Sequence, residues 1–128
     1  MKRKYIGASL LLAASAVAVS FLTAAPAAED LDPLKVAGDT HKLVFENQFV
    51  RVIDAQVPPG KLEAKHNHPH GFTVHLADYT VETKSFPDGK VSKHERKFGS
   101  VVWSEAIVHE VRNVGKTPSH AIRVELKY

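Results

Sequence analysis

The chain has 128 residues, 44% of them hydrophobic and 24% charged, a formal charge of +3, one Trp and no Cys. That length builds one domain. The lack of cysteine excludes a disulfide framework, a thiolate metal site, a cysteine nucleophile and a lipidated cysteine anchor, so any metal must sit on nitrogen or oxygen ligands.

The positive charge is concentrated at the start. Lys2, Arg3 and Lys4 precede Ile6 to Leu22, an uncharged Ala/Leu/Val-rich stretch, and Ala25-Pro26-Ala27 then offers small residues where a signal peptidase cuts. Residues 1–27 therefore read as a secretory signal peptide. The rival reading is an uncleaved membrane anchor. The apolar stretch is only 17 residues and rich in Ala, Ser and Gly, at the short edge of what crosses about 30 Å of hydrocarbon. Removing the three leading cations from the 17 Lys and Arg leaves 14 against 14 Asp and Glu, a net charge of zero. Nucleic acid is thereby excluded as a partner. No stable membrane anchor is expected after cleavage, and the domain is expected in the periplasm or secreted.

Residues 28–40 begin acidic (Glu29, Asp30, Asp32), contain Pro33 and Gly38 and lack periodicity, which predicts a flexible N-terminal arm. The domain proper is expected over 41–128. Strands are expected over Lys42–Phe45, Phe49–Val57 (stopped by Pro58-Pro59-Gly60), Glu63–His68 (ended by Pro69 and Gly71) and Phe72–Thr83, the last with a break near Ala77-Asp78. Phe86-Pro87-Asp88-Gly89-Lys90 is a hairpin turn, since Pro presets φ and Gly supplies the left-handed position. Lys90–Phe98, Ser100–Trp103, Val108–Val114 and Ser119–Lys127 follow, with a corner at Ser104–Ile107. About eight short strands without a helical stripe mean an all-β sandwich or barrel, able to close around a small cavity.

Of the eight histidines, four fall between His66 and His75. In His66-Asn67-His68 the two imidazoles share one face of a strand, and Pro69 ends that strand at the rim of the sheet. Alone, such a pair is no more than two polar residues on an edge. But Gly60 precedes His66 with five residues between them, and far along the chain Gly99, the apolar run Val101-Val102-Trp103, the corner and His109 are followed by Asn113. This pairing resembles the two cupin motifs and spans roughly Leu43 to Leu126. The resemblance implies a single-domain jelly-roll barrel in which His66, His68 and His109 converge on one divalent metal (Fe, Mn, Ni, Cu or Zn), leaving positions open for water or substrate.

Two departures from the motifs matter. The carboxylate that cupins place shortly after the second His is replaced by Gly71, Phe72 and Thr73, so the site reads as three-His unless His75 joins it. The usual Pro-x-Gly corner is Glu105-Ala106-Ile107. Glu105 reads either as a catalytic or ring-orienting carboxylate at the barrel mouth or as a solvated corner residue. Phe72 and Trp103 read as pocket lining or plain core, and Asn113 as a structural hydrogen-bonder. His70 is expected to face solvent, and His41, His94 and His120 to lie on the surface. A metal without a carboxylate ligand favours a small, anionic organic ligand. The activities implied are a dioxygenase on Fe(II) or an isomerase or lyase on other ions, the alternative being a non-catalytic metal or small-ligand binding protein. A homodimer is expected, since single-domain cupins pair through a sheet.

Overall fold

The computed structural model describes residues 27–128; the expected signal peptide lies outside them but for Ala27. A one-turn helix, α1 (Pro33–Val36), opens the described chain. It forms where it does because the Asp32 carboxylate accepts from the Leu34 N–H at 2.9 Å and Pro33, at the first helical position, has no N–H to satisfy. The expected free arm is in fact docked. Pro33 and Ala37 are buried, the Leu31 carbonyl accepts from the Asn67 N–H at 2.9 Å, and Asp32 pairs with Arg51 at 2.7 Å. Two apolar anchors and a half-buried ion pair offset the entropy of ordering that segment.

Nine strands follow: β1 (His41–Glu46), β2 (Val50–Val57), β3 (Leu62–His68), β4 (Gly71–His75), β5 (Tyr79–Phe86), β6 (Val91–Arg96), β7 (Val101–Ser104), β8 (Ile107–Asn113) and β9 (Ser119–Leu126). They form two sheets, β1-β2-β9-β4-β7 and β3-β8-β5-β6, with every pairing antiparallel. The long run expected over Phe72–Thr83 is two strands in different sheets, divided at Leu76–Asp78, so the chain changes layer where the sequence weakens. Gly89, at φ +70°, makes the β5–β6 turn. Gly71 is required for a different reason: a Cβ there would lie 2.1 Å from the Val124 carbonyl oxygen, inside the β4–β9 contact that carries the chain away from His68.

The polarity of the barrel is inverted. Among the described residues ten polar or charged side chains are buried against five hydrophobic ones. On β9 the inward set is Ser119, Ala121, Arg123 and Glu125, while Ile122, Val124 and Leu126 point outward. An ordinary sheet does the reverse, burying its apolar set. One buried polar residue is architectural, as expected: Asn113 donates to the Val57 and Thr117 carbonyls, each at 2.8 Å, and accepts from the Gly115 N–H at 2.9 Å, tying the end of β2 to the β8–β9 turn.

Candidate metal centre

His66 and His109 are direct partners in the β3–β8 register, and His68 lies two residues further along the same face of β3. Neighbouring inward positions on paired antiparallel strands hold side chains about 5 Å apart. The ring centroids obey this: 4.6 Å for His66–His109, 4.9 Å for His66–His68 and 5.4 Å for His68–His109. The fourth ring comes from the other sheet. His41, expected on the surface, is 4% exposed, with its centroid 4.9 Å from His66 and 5.8 Å from His68. Ligand atoms of His41, His66 and His68 all lie within 4.8 Å of one another, and the Nε2 atoms of His66 and His109 are 3.0 Å apart.

The partners of the other ring nitrogens decide which atoms face the centre. Nδ1 of His66 donates to the Ala64 carbonyl at 2.7 Å, and Nδ1 of His68 to the Glu125 carboxylate at 2.6 Å. Nδ1 of His41 donates to Thr40 Oγ1 at 3.1 Å and has Glu63 Oε1 at 3.3 Å. With the ring hydrogen placed on Nδ1, Nε2 carries the lone pair a metal needs. Glu125 is itself held by Arg51 at 2.6 Å, and Arg51 by Asp32, so the docked N-terminal segment braces the His68 ring.

Burial keeps the cluster neutral. It lowers His41 to about 4 and His109 to about 2, with the neighbouring rings adding to the effect, and it holds His66 and His68 below their ordinary value too. Burial also pushes Glu63 up to about 7, and its buried Oε1 has no hydrogen-bond partner. The donor set fits a divalent ion. Two nitrogens about 2.1 Å from one ion stand about 3.0 Å apart at a right angle and about 3.4 Å apart at a tetrahedral one, so the 3.0 Å between the His66 and His109 Nε2 atoms is near what a shared ion needs.

The rings line a cavity of about 220 Å³ inside the barrel, walled by Val57, Val81, Ile107 and Val111 and reached by Thr73, Ser104 and Arg123. Four side chains read from the sequence as site candidates fall elsewhere. Phe72 and Trp103 are register partners on the outer face of the first sheet, because the inward positions of β4 and β7 belong to Thr73, Val102 and Ser104. Glu105 sits in the exposed corner and accepts from Trp103 Nε1 at 2.8 Å, outside the cavity. His75 lines the cavity but is not in the ring cluster; its Nδ1 is bonded to the Tyr79 hydroxyl at 2.5 Å. His94 also lines the cavity, His70 stacks on Trp103 with centroids 6.0 Å apart, and His120 pairs with Asp54 at 2.9 Å. Reasoning from sequence missed His41, Glu63, Arg123 and Glu125. Strand alternation sets Arg123 and Glu125 on one face of β9, yet nothing local says that this face is the inner one.

No protein-family profile and no curated protein matches the chain. Solved structures do. A cupin domain from Bordetella pertussis Tohama I superposes with a TM-score of 0.62 at 21% identity, over 69% of this chain and 92% of that one. A protein with a double-stranded β-helix domain from Klebsiella pneumoniae gives 0.55 at 24% identity, over 68% and 75%. A cupin family protein from Methanocaldococcus jannaschii gives 0.55 at 14%, over 67% and 77%.

Proposed function

From a chain that folds as a small single-domain cupin, we propose an extracytoplasmic protein that holds one divalent metal on His66, His68 and His109, with His41 as a fourth donor, and that binds or acts on a small anionic molecule in the barrel cavity. The observation that carries this reading is the 3.0 Å approach of the His66 and His109 Nε2 atoms within a buried cluster of neutral rings. An all-imidazole set suits Zn, Cu, Fe or Ni better than Mn. When bound, such an ion supplies a Lewis acid for a carbonyl or carboxyl oxygen. The chain's own residues do the rest. Glu125 and the Ala64 carbonyl fix ring orientation, the valines and Ile107 keep the cavity wall apolar, and Arg123 brings a buried positive charge for an anion. Metal analysis of protein purified without a chelating column tests the proposal: about one ion per chain is expected. A protein that arrives empty and takes up neither added Zn(II) nor Fe(II) overturns it.

The same reading includes a homodimer through the first sheet. Phe45, Val52, Val124, Phe72 and Trp103 form one continuous row of register partners across its five strands, with Phe45 and Trp103 at its two ends more than half exposed. The outer face of the second sheet carries the charged row Lys93, Glu82 and Arg112 instead. A flat apolar row of this kind is self-complementary about a two-fold axis. Light scattering after size exclusion should give a dimer, reduced to monomer by Val124→Lys; a wild-type monomer would sink the idea.

A further inference from the structure

The cavity has a second pole that the metal centre does not use. His75, on β4, is 4% exposed and lines the cavity, and its Nε2 has no hydrogen-bond partner. Its Nδ1 meets the Tyr79 hydroxyl at 2.5 Å, and that hydroxyl has no other acceptor among the described residues. The phenol, pushed up to about 12 by burial, keeps its proton and donates it to Nδ1. His75 Nε2 is then an N–H donor, buried and unpaired. Beside it stands a cation: Tyr79 and Arg96 are direct partners in the β5–β6 register, both face inward, and Arg96 has no ion-pair partner among the described residues.

Between this pole and the imidazole cluster lies Arg123. Its guanidinium donates to Ser104 Oγ at 2.8 Å, to the Pro69 carbonyl at 2.6 Å and, at 3.4 Å, to Thr73 Oγ1, all of them neutral groups. Its Nε is buried without a partner, and among the described residues no carboxylate lies in ion-pair range. Arg123 faces Thr73 across β4–β9, whereas His75 faces Ala121. The two groups are therefore offset by two residues, about 7 Å along the strand. Among the described residues the one carboxylate lining the cavity is Glu63, which lies against His41.

We propose that the cavity takes a small dicarboxylate, one carboxylate lying between the histidine cluster and Arg123 and the other accepting from His75 Nε2–H and the Arg96 guanidinium. Two N–H clusters, borne on strand positions two residues apart and facing one small cavity, match a ligand with planar anionic groups at both ends. The position of the first carboxylate rests on the metal reading above; the second does not.

Titration calorimetry of the purified full chain, metal-loaded and metal-free, with malonate, succinate and glutarate against propionate, butyrate and valerate tests this. The expected result is one dicarboxylate binding about 10- to 100-fold tighter than the monocarboxylate of equal length, the range for hydrogen bonds to charged groups. Arg96→Ala and His75→Phe should each cut that preference without changing metal content. Arg96 is half-exposed, so its variant keeps the test alive if the His75 variant fails to fold. Equal affinity for the two series in the wild type, or a preference that survives both substitutions, overturns the inference. Metal content in the same samples separates the readings: metal retained without a preference sinks only the second pole, and a preference without metal sinks only the centre.

Discussion

The two ends of the barrel cavity hold histidines that are equally buried and yet chemically unlike. His41 and His75 are each 4% exposed, and each has Nδ1 against a hydroxyl, of Thr40 and of Tyr79. His41 has two other rings within 5.8 Å, whereas no ring of the cluster approaches His75. The two hydroxyls act in opposite directions: Thr40 accepts from His41 and leaves its Nε2 bare, whereas Tyr79 donates to His75 and leaves the hydrogen on its Nε2, so burial alone does not make an imidazole a ligand. The difference arises from topology, because the β3–β8 register sets His66 against His109, while β4 sets His75 against the side chain of Ala121.

The sharpest way to break this comparison is to delete rings at each end. His66→Ala and His109→Ala should each reduce bound metal well below one ion per chain, since each removes one of the two ring nitrogens that approach to 3.0 Å at the centre of the cluster. His75→Ala should leave the metal content unchanged. His41→Ala distinguishes four donors from three, and a large loss of affinity on elemental analysis is expected. Equal metal loss in the His75 and His66 variants would erase the distinction between the two ends.

A smaller effect is expected one bond further out. Glu125→Gln keeps the shape at His68 Nδ1 but replaces a carboxylate acceptor by an amide and leaves Arg51 with Asp32 alone. Losing such a ring-orienting partner weakens metal binding by about 10- to 100-fold, measurable by competition with a chelator. Tyr79→Phe makes the equivalent change at the other end and should not move metal affinity.

How much of this was legible beforehand follows from which contacts are local. The strand spacing, the break at Ala77-Asp78 and the two-residue step from His66 to His68 are properties of short windows, and the structure realises them. His41 is not a local matter. It joins the cluster because β1 pairs with β2, setting His41 against Ala55, and because this edge of the first sheet closes onto β3. Phe72 and Trp103 mislead for a related reason. Aromatic residues usually seek the interior, but in a barrel whose inward positions hold Arg123, the histidines and the fully buried Glu125 the apolar parity is the outer one. Alternation tells that a strand has two faces, and only the lining chemistry tells which one is inside. Glu105 fails as a site residue because its corner turns toward solvent, where Trp103 takes its carboxylate.

The mildest test reads the two ends through pH, in metal-free protein. An unfolded histidine titrates near 6.5, whereas His41 waits until about 4, His109 until about 2, and His66 and His68 are lowered as well. Below pH 6.5 the unfolded chain therefore binds more protons than the folded one, and stability must fall with acidification, continuing as pH drops through 4. Each such ring contributes at most about 1.4 kcal/mol per pH unit. Glu63 acts in the opposite sense. Held at about 7 in the fold against an ordinary 4.5, it binds its proton more readily when folded, so it adds stability as pH falls from 7 to 4.5. Several depressed imidazoles outweigh one raised carboxyl, and Tm should decline steadily below pH 6. Glu63→Gln removes the opposing contribution, so its Tm should be higher than wild type near pH 7 and fall more steeply on acidification. His75 is also lowered by burial, but it is a single ring, and His75→Phe should flatten the acid limb only slightly. A Tm indifferent to pH between 7 and 4 would mean that the cluster is hydrated, and the contrast between a desolvated focus and a solitary ring would then have no basis.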